Sequence, residues 1–242
     1  MRPLSDFMVI GAILLAGGCA PFIHSPPGRL LGLDTAQTLE KGQTGIQVVG
    51  GGGGDGVDVS FGGIAARVRH GLAKQLDGRL ELSVLKLNPE DPLIGGEVIY
   101  GVGTGIKYAF NPHFAFSVDV TGGGWVGGGF ISPELKLIAG YENPAAVPFF
   151  DVGYYTSHPI SPNAVSTTED FLGPPTFTQG WTTGVGLRVA TSNIKTPEGG
   201  CCRFGSALIF GMRFTGAYFD DMHENNAQVY GAGGVGFEFV VP

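Results

Sequence analysis

Between Val98 and Val120 the chain reads VIYGVGTGIKYAFNPHFAFSVDV, with apolar side chains on every second position either side of Asn111-Pro112-His113. A period of two is the mark of a β-strand with two unlike faces. Val98, Tyr100, Val102, Thr104, Ile106, Tyr108 and Phe110 share one face, while Glu97, Ile99, Gly101, Gly103, Gly105, Lys107 and Ala109 share the other. After the turn, Phe114, Phe116, Val118 and Val120 alternate with Ala115, Ser117, Asp119 and Thr121. In a soluble sandwich the face away from the core is dense in Lys, Glu and Thr. Here that face is mostly glycine with single charges, which suits a crowded interior better than open water.

The pattern recurs along the chain. Leu76, Leu80, Leu82 and Val84 oppose Asp77, Arg79, Glu81 and Ser83; Leu135 and Leu137 oppose Glu134 and Lys136; Phe150 and Val152 oppose Asp151 and Gly153. Trp181 to Val189 alternates with Gly184, Gly186 and Arg188, Leu208 to Tyr218 with Gly211, Arg213 and Thr215, and Val235 to Phe239 with Gly236 and Glu238. Segments of about ten residues, oily on one side and separated by turns, are the signature of a membrane barrel. Ten strands are predicted near 43–50, 57–69, 76–87, 96–110, 114–126, 130–141, 147–156, 178–191, 204–219 and 227–241. Eight is the alternative if the first and sixth drop out. Val57, Val59 and Phe61 lose phase at Gly62-Gly63, which predicts a β-bulge there. Tyr100, Tyr108, Phe110, Phe114, Tyr154, Trp181 and Tyr218 lie near strand ends, where interfacial girdles belong. The longer loops, among them 88–95 and 158–177, are expected at one end, with most short turns and both termini at the other.

Composition narrows the class. Charged residues are 14% of the chain, well below the roughly 25% of ordinary soluble domains. No apolar run beyond the N-terminus approaches the roughly 20 residues of a membrane helix. Gly 43 without a three-residue period excludes collagen. A net charge of −7 and the lack of a basic stripe argue against a nucleic-acid partner.

Arg2, the apolar run Phe7 to Ala16 and then Gly17-Gly18-Cys19 read as a secretory signal over residues 1–18. Cys19 after small residues resembles a bacterial lipobox, which implies a lipid-modified (palmitate-bearing) Cys19. Cleavage after Ala20 is the alternative. Ala20 supplies no acidic inner-membrane retention signal, so the resemblance implies an outer-membrane address. Residues 19–40, rich in Pro and small residues, are expected to be a periplasmic tether, and 41–242 the barrel.

From Asp34 to Pro242 the chain resembles small bacterial outer-membrane β-barrel proteins. The stretch DTAQTLEKGQTGIQVVGGGG is similar to the tether, Lys-Gly corner and glycine-rich first strand of lipoprotein members of that superfamily. The resemblance implies an all-β, antiparallel, up-and-down transmembrane β-barrel with its lipid-anchored N-terminus in the periplasm. Such barrels usually end on an aromatic residue, whereas this chain ends FEFVVP.

In that setting Arg79, Glu81, Glu97, Lys107, Asp119, Glu134, Lys136, Asp151, Arg188, Arg213 and Glu238 form an inward charge network. It reads as a salt-bridged plug or as the lining of a narrow water path, and the plug is favoured. No cofactor or metal site is expected, since the five histidines have no zinc-like spacing. HPISPN, His158 to Asn163, holds a Ser and a His in a proline-broken loop, and DDMHEN, Asp220 to Asn225, reads as a solvated acidic loop. Cys201-Cys202 is a candidate vicinal disulfide. The expected function is a structural or surface-interaction role without catalysis, with outer-membrane lipids and an envelope or extracellular protein as partners. The alternatives are a narrow channel for ions or small solutes, a lipid-modifying barrel enzyme, and a soluble lipocalin-like lipoprotein with its aromatic face turned inward.

Overall fold

A computed structural model describes Arg29 and residues 31–55, 59–89, 98–125, 128–141, 143, 145–162, 165–166, 171–172, 176–194, 203–220 and 225–241. Twelve strands follow in order: β1 (Thr44–Gly54), β2 (Val59–Ala73), β3 (Leu76–Pro89), β4 (Val98–Asn111), β5 (Phe114–Trp125), β6 (Gly128–Gly140), β7 (Ala146–Ile160), β8 (Val165–Ser166), β9 (Phe171–Leu172), β10 (Thr178–Ile194), β11 (Arg203–Asp220) and β12 (Asn225–Val241). Ten of them close into an antiparallel up-and-down barrel, while β8 and β9 pair with each other in the connection between β7 and β10. Closure is by β1 on β12, from Thr44 opposite Val241 to Gly54 opposite Gly231.

The stagger of the barrel follows from its pairing. Stepping from Thr44 through His70, Gly78, Ile106, Val118, Leu135, Tyr154, Trp181 and Gly216 reaches Val229 on β12. Thr44 itself pairs with Val241 across the seam, twelve residues further along. A stagger of that size in ten strands corresponds to a strand tilt of about 40°. Phe110 and Tyr100, both exposed on β4, then stand about 25 Å apart along the barrel axis.

The tight turns have local causes. At the β4–β5 hairpin Asn111 Oδ1 accepts from the backbone N–H of His113 at 2.8 Å and of Phe114 at 3.0 Å, an Asx turn with Pro112 presetting its own φ. Gly42, with φ +89°, makes the corner before β1, where its N–H reaches Gly71 O at 2.8 Å; a side chain is disfavoured in that backbone region.

The faces are sorted as the alternation predicts. Tyr100 is 59% exposed, Leu137 56%, Val102 56% and Phe210 41%, whereas Lys107 and Arg213 are each 1% exposed. Most of the oily side chains point out, and Arg79, Glu81, Lys107, Asp119 and Arg213 point in.

Two expectations are corrected. The bulge predicted at Gly62-Gly63 is not there: β2 pairs without interruption with both neighbours through that point, and the register shift lies at Gly71/Ala73 instead. Phe61 faces inward and is 4% exposed, so the apparent loss of phase is an apolar residue on the inner face. The second correction concerns the stretch expected as a tether outside the barrel. Arg29, Leu31, Leu33, Asp34, Thr35, Ala36 and Leu39 are all buried, and their partners are inward side chains of the wall. Residues 31–39 lie inside the barrel, because a ten-stranded lumen is wider than wall side chains alone fill.

Candidate functional site

The lumen is the site. Along each strand, every second residue points into it, and glycines between the charged positions leave room for long side chains. A methyl group at Gly153 would stand 2.7 Å from Thr182 Oγ1, and one at Gly184 2.5 Å from Asp151 Oδ2.

Nearest the end where β1 begins and β12 ends, Glu238 receives Arg69 and, at 2.7 Å, Arg188 Nε. Arg188 also donates to Gln37 Oε1 at 2.7 Å, and Asp77 accepts from the backbone N–H of Leu39 at 2.8 Å. Further in, Arg67 donates to Glu81 at 2.7 Å, Arg79 is paired with both Asp119 and Asp34, and Lys107 stands 3.3 Å from Asp34 Oδ1. Deeper still, Arg29 spans Glu81 at 3.0 Å, Asp119 at 3.3 Å and Glu134 at 3.7 Å, while Arg213 pairs with Glu134. A cavity of about 10 Å³ lies beside this last group, lined by Arg29, Thr121, Ser132, Glu134, Tyr155, Thr182 and Arg213. That is room for one water molecule.

The N-terminal segment is held by complementary charge. Asp34 lies among Arg67, Arg79 and Lys107, and Arg29 lies among Glu81, Asp119 and Glu134. Its backbone carbonyls are also taken up, as buried acceptors require. Gly32 O accepts from Arg213 at 2.9 Å, Leu33 O from Arg67 at 3.0 Å, and Thr35 O and Gln37 O from Lys107 at 2.9 and 2.7 Å.

Above the charged layers the lumen turns apolar. Phe61, Leu85, Leu87, Ile99, Trp125, Phe130, Ala217 and Tyr230 come from strand ends at the loop side, and they form one buried cluster with Leu31 and Leu33 of the segment. The interior is thus capped by apolar side chains toward the loops, with the ion pairs below them and a small apolar cluster of Ala36, Ala109, Ala115 and Ile138 near the β4–β5 turn.

Of the charges singled out from the sequence, Arg79, Glu81, Lys107, Asp119, Glu134, Lys136, Asp151, Arg188, Arg213 and Glu238 all lie in the lumen, each at most 7% exposed. Two of them are loosely engaged. Among the described residues Lys136 Nζ has only Glu134 at 4.0 Å, and neither carboxylate oxygen of Asp151 has a hydrogen-bond partner there. Glu97, Cys19 and the pair Cys201 and Cys202 lie outside the described residues. The structure adds Arg29, Asp34, Arg67, Arg69 and Asp77 to the network. Arg67 and Arg69 follow from the inward parity of Phe61, a signal the misplaced bulge concealed. His158 is exposed, with its ring 4.8 Å from that of Phe177. Among the described residues no group of three His, Cys, Asp or Glu side chains is placed to hold a metal ion.

No protein family and no curated protein matches the sequence. Solved structures with similarity to the chain are bacterial outer-membrane barrels. The N-terminal β-barrel domain of Pseudomonas aeruginosa OprF is 14% identical over 83% of this chain and 100% of that one, with a TM-score of 0.36. Pseudomonas aeruginosa OprG is 10% identical over 86% and 99%, with a TM-score of 0.37. An outer membrane channel from Pseudomonas putida F1 is 9% identical over 89% and 99%, with a TM-score of 0.44. At these values the likeness says nothing about activity, and the barrel assignment stands on the strand pairing itself.

Proposed function

We propose that this protein is an integral barrel of the bacterial outer membrane, closed in its resting state, with a structural or surface-interaction role and no catalytic step. One observation carries the reading: a belt of exposed Val, Leu, Ile, Phe and Tyr surrounds an interior of buried ion pairs. Soluble monomers rarely expose contiguous apolar patches beyond a few hundred Å². A bilayer solvates that belt, and the spacing of about 25 Å between Phe110 and Tyr100 matches the apolar height of such barrels.

The rest of the proposal builds on this frame. The end where β1 begins and β12 ends faces the periplasm, as the short β2–β3 and β4–β5 turns at that end favour. Cys19 carries lipid, the outer wall contacts membrane lipids, and the loop-side end, including 158–177, meets an extracellular or envelope protein. The segment and the apolar cap support a closed barrel over a standing pore.

Purified protein reconstituted in a planar bilayer tests the closed state: it inserts without steady conductance at low voltage. A constant ohmic current from every inserted molecule would replace this reading with an open channel. Radiolabelled palmitate incorporated by the wild type and lost in Cys19→Ser tests the anchor.

A further inference from the structure

The way the N-terminal segment is held differs from the way the wall is held. Strands are locked by continuous backbone ladders, but the backbone of residues 31–39 is contacted chiefly by side chains of the wall. The wall also keeps its own pairs. Arg67 has Glu81, Arg79 has Asp119, Arg213 has Glu134, Arg69 and Arg188 share Glu238, and Lys107 has Asp77 at 3.8 Å. Among the described residues of the segment inside the lumen, the charged side chains are one cation, Arg29, and one anion, Asp34.

Withdrawal of the segment therefore removes one cation and one anion, and each described wall ion that pairs with Arg29 or Asp34 keeps a partner in the wall. That removes the usual obstacle to moving a buried charged element, the cost of leaving one ion unpaired in a poorly solvated interior. The same withdrawal takes Leu31 and Leu33 out of the cluster they share with Phe61, Trp125 and Phe130, so the seal against the apolar cap is broken by the same movement.

From this geometry we infer that Arg29 and residues 31–39 are a releasable plug, and that the barrel is a gated pore for small ions. The inference rests on the outer-membrane reading and adds a second, open state to it. Among the described residues the emptied wall holds seven cations and six carboxylates, so the open pore prefers small anions weakly over cations.

A disulfide tests it in the full chain. A Cβ at Gly140 would lie 3.6 Å from Cβ of Ala36, within the span of about 3.5–4.5 Å that disulfides use. Ala36→Cys with Gly140→Cys, in a background with Cys201→Ser and Cys202→Ser, ties the plug to β6 when oxidised. In planar bilayers at raised voltage the reduced protein is expected to show opening events, the oxidised protein none, and reductant to restore them. A second variant, Arg29→Gln with Asp34→Asn, keeps the segment neutral but removes its ion pairs, and is expected to raise the open fraction by about tenfold or more.

Each variant is first checked for heat-modifiable gel mobility, which reports a closed folded barrel. Inserted, heat-modifiable protein that stays silent in the reduced and Gln/Asn forms alike would overturn the plug and leave the membrane reading intact. Openings that persist under the oxidised lock would place the ion path elsewhere. Protein that never inserts would overturn both.

Discussion

Lys107 Nζ stands 3.3 Å from Asp34 Oδ1, across 73 positions of sequence. This contact joins the fourth strand of the barrel to a stretch whose composition reads as a linker. The same ammonium reaches the carbonyls of Thr35 and Gln37 at 2.9 and 2.7 Å, so one wall side chain fixes the segment at three points.

The base of the network offers the first test. Glu238 is shared by Arg69 and Arg188 and is 2% exposed. Glu238→Gln leaves two buried guanidiniums around a neutral amide and is expected to cost about 3–5 kcal/mol, read as a lower urea midpoint for unfolding from lipid vesicles. An unchanged midpoint would mean that water reaches this layer.

The outer belt responds to charge in the opposite sense from a water-exposed surface. Leu82 is 55% exposed on β3, midway along the strand. Leu82→Arg is expected to destabilise the vesicle-bound protein by about 2–4 kcal/mol. In water the same change at an exposed site would be nearly neutral.

Glycines on the two faces separate crowding from mere flexibility. Gly153→Ala brings a methyl to 2.7 Å from Thr182 Oγ1 and 2.8 Å from Leu135 O, whereas a methyl at Gly124 or Gly233 meets nothing within 4 Å. The first is expected to cost about 1–3 kcal/mol, and the other two are expected to be close to neutral. Equal losses at all three would show that packing is not the reason for glycine at position 153.

Phe61 reports on the apolar cap. Truncation to Ala removes a ring that is 4% exposed and packed in the cluster with Leu31 and Trp125, at an expected cost of about 3–5 kcal/mol. With the seal thinned, brief openings in planar bilayers are expected to become more frequent than in the wild type.

Much of this architecture was legible from parity. A period of two assigns each residue to one face, and in β3 to β12 the described charges singled out from the sequence fall inward. Parity fails where an inward position is itself apolar. Phe61 hides the phase of β2 and with it Arg67 and Arg69, because near its rim the barrel carries oily residues on both faces. Asp34 and Arg29 were illegible for another reason. Their partners on the strands lie 33 to 105 residues away, and a short, Pro- and Gly-containing stretch carries no periodicity that would reveal its enclosure.

The most direct test of where the oily face points is quenching by brominated acyl chains. In a background with Trp125→Phe and Trp181→Phe, Leu137→Trp places a reporter on the outer belt; the wild-type Trp125 alone, with Trp181→Phe, reports the interior. Strong quenching of the residue at 137 with little at Trp125 is the expected result. Quenching of neither, with both reporters behaving as in lipid-free buffer, would contradict the assignment of the belt to the bilayer.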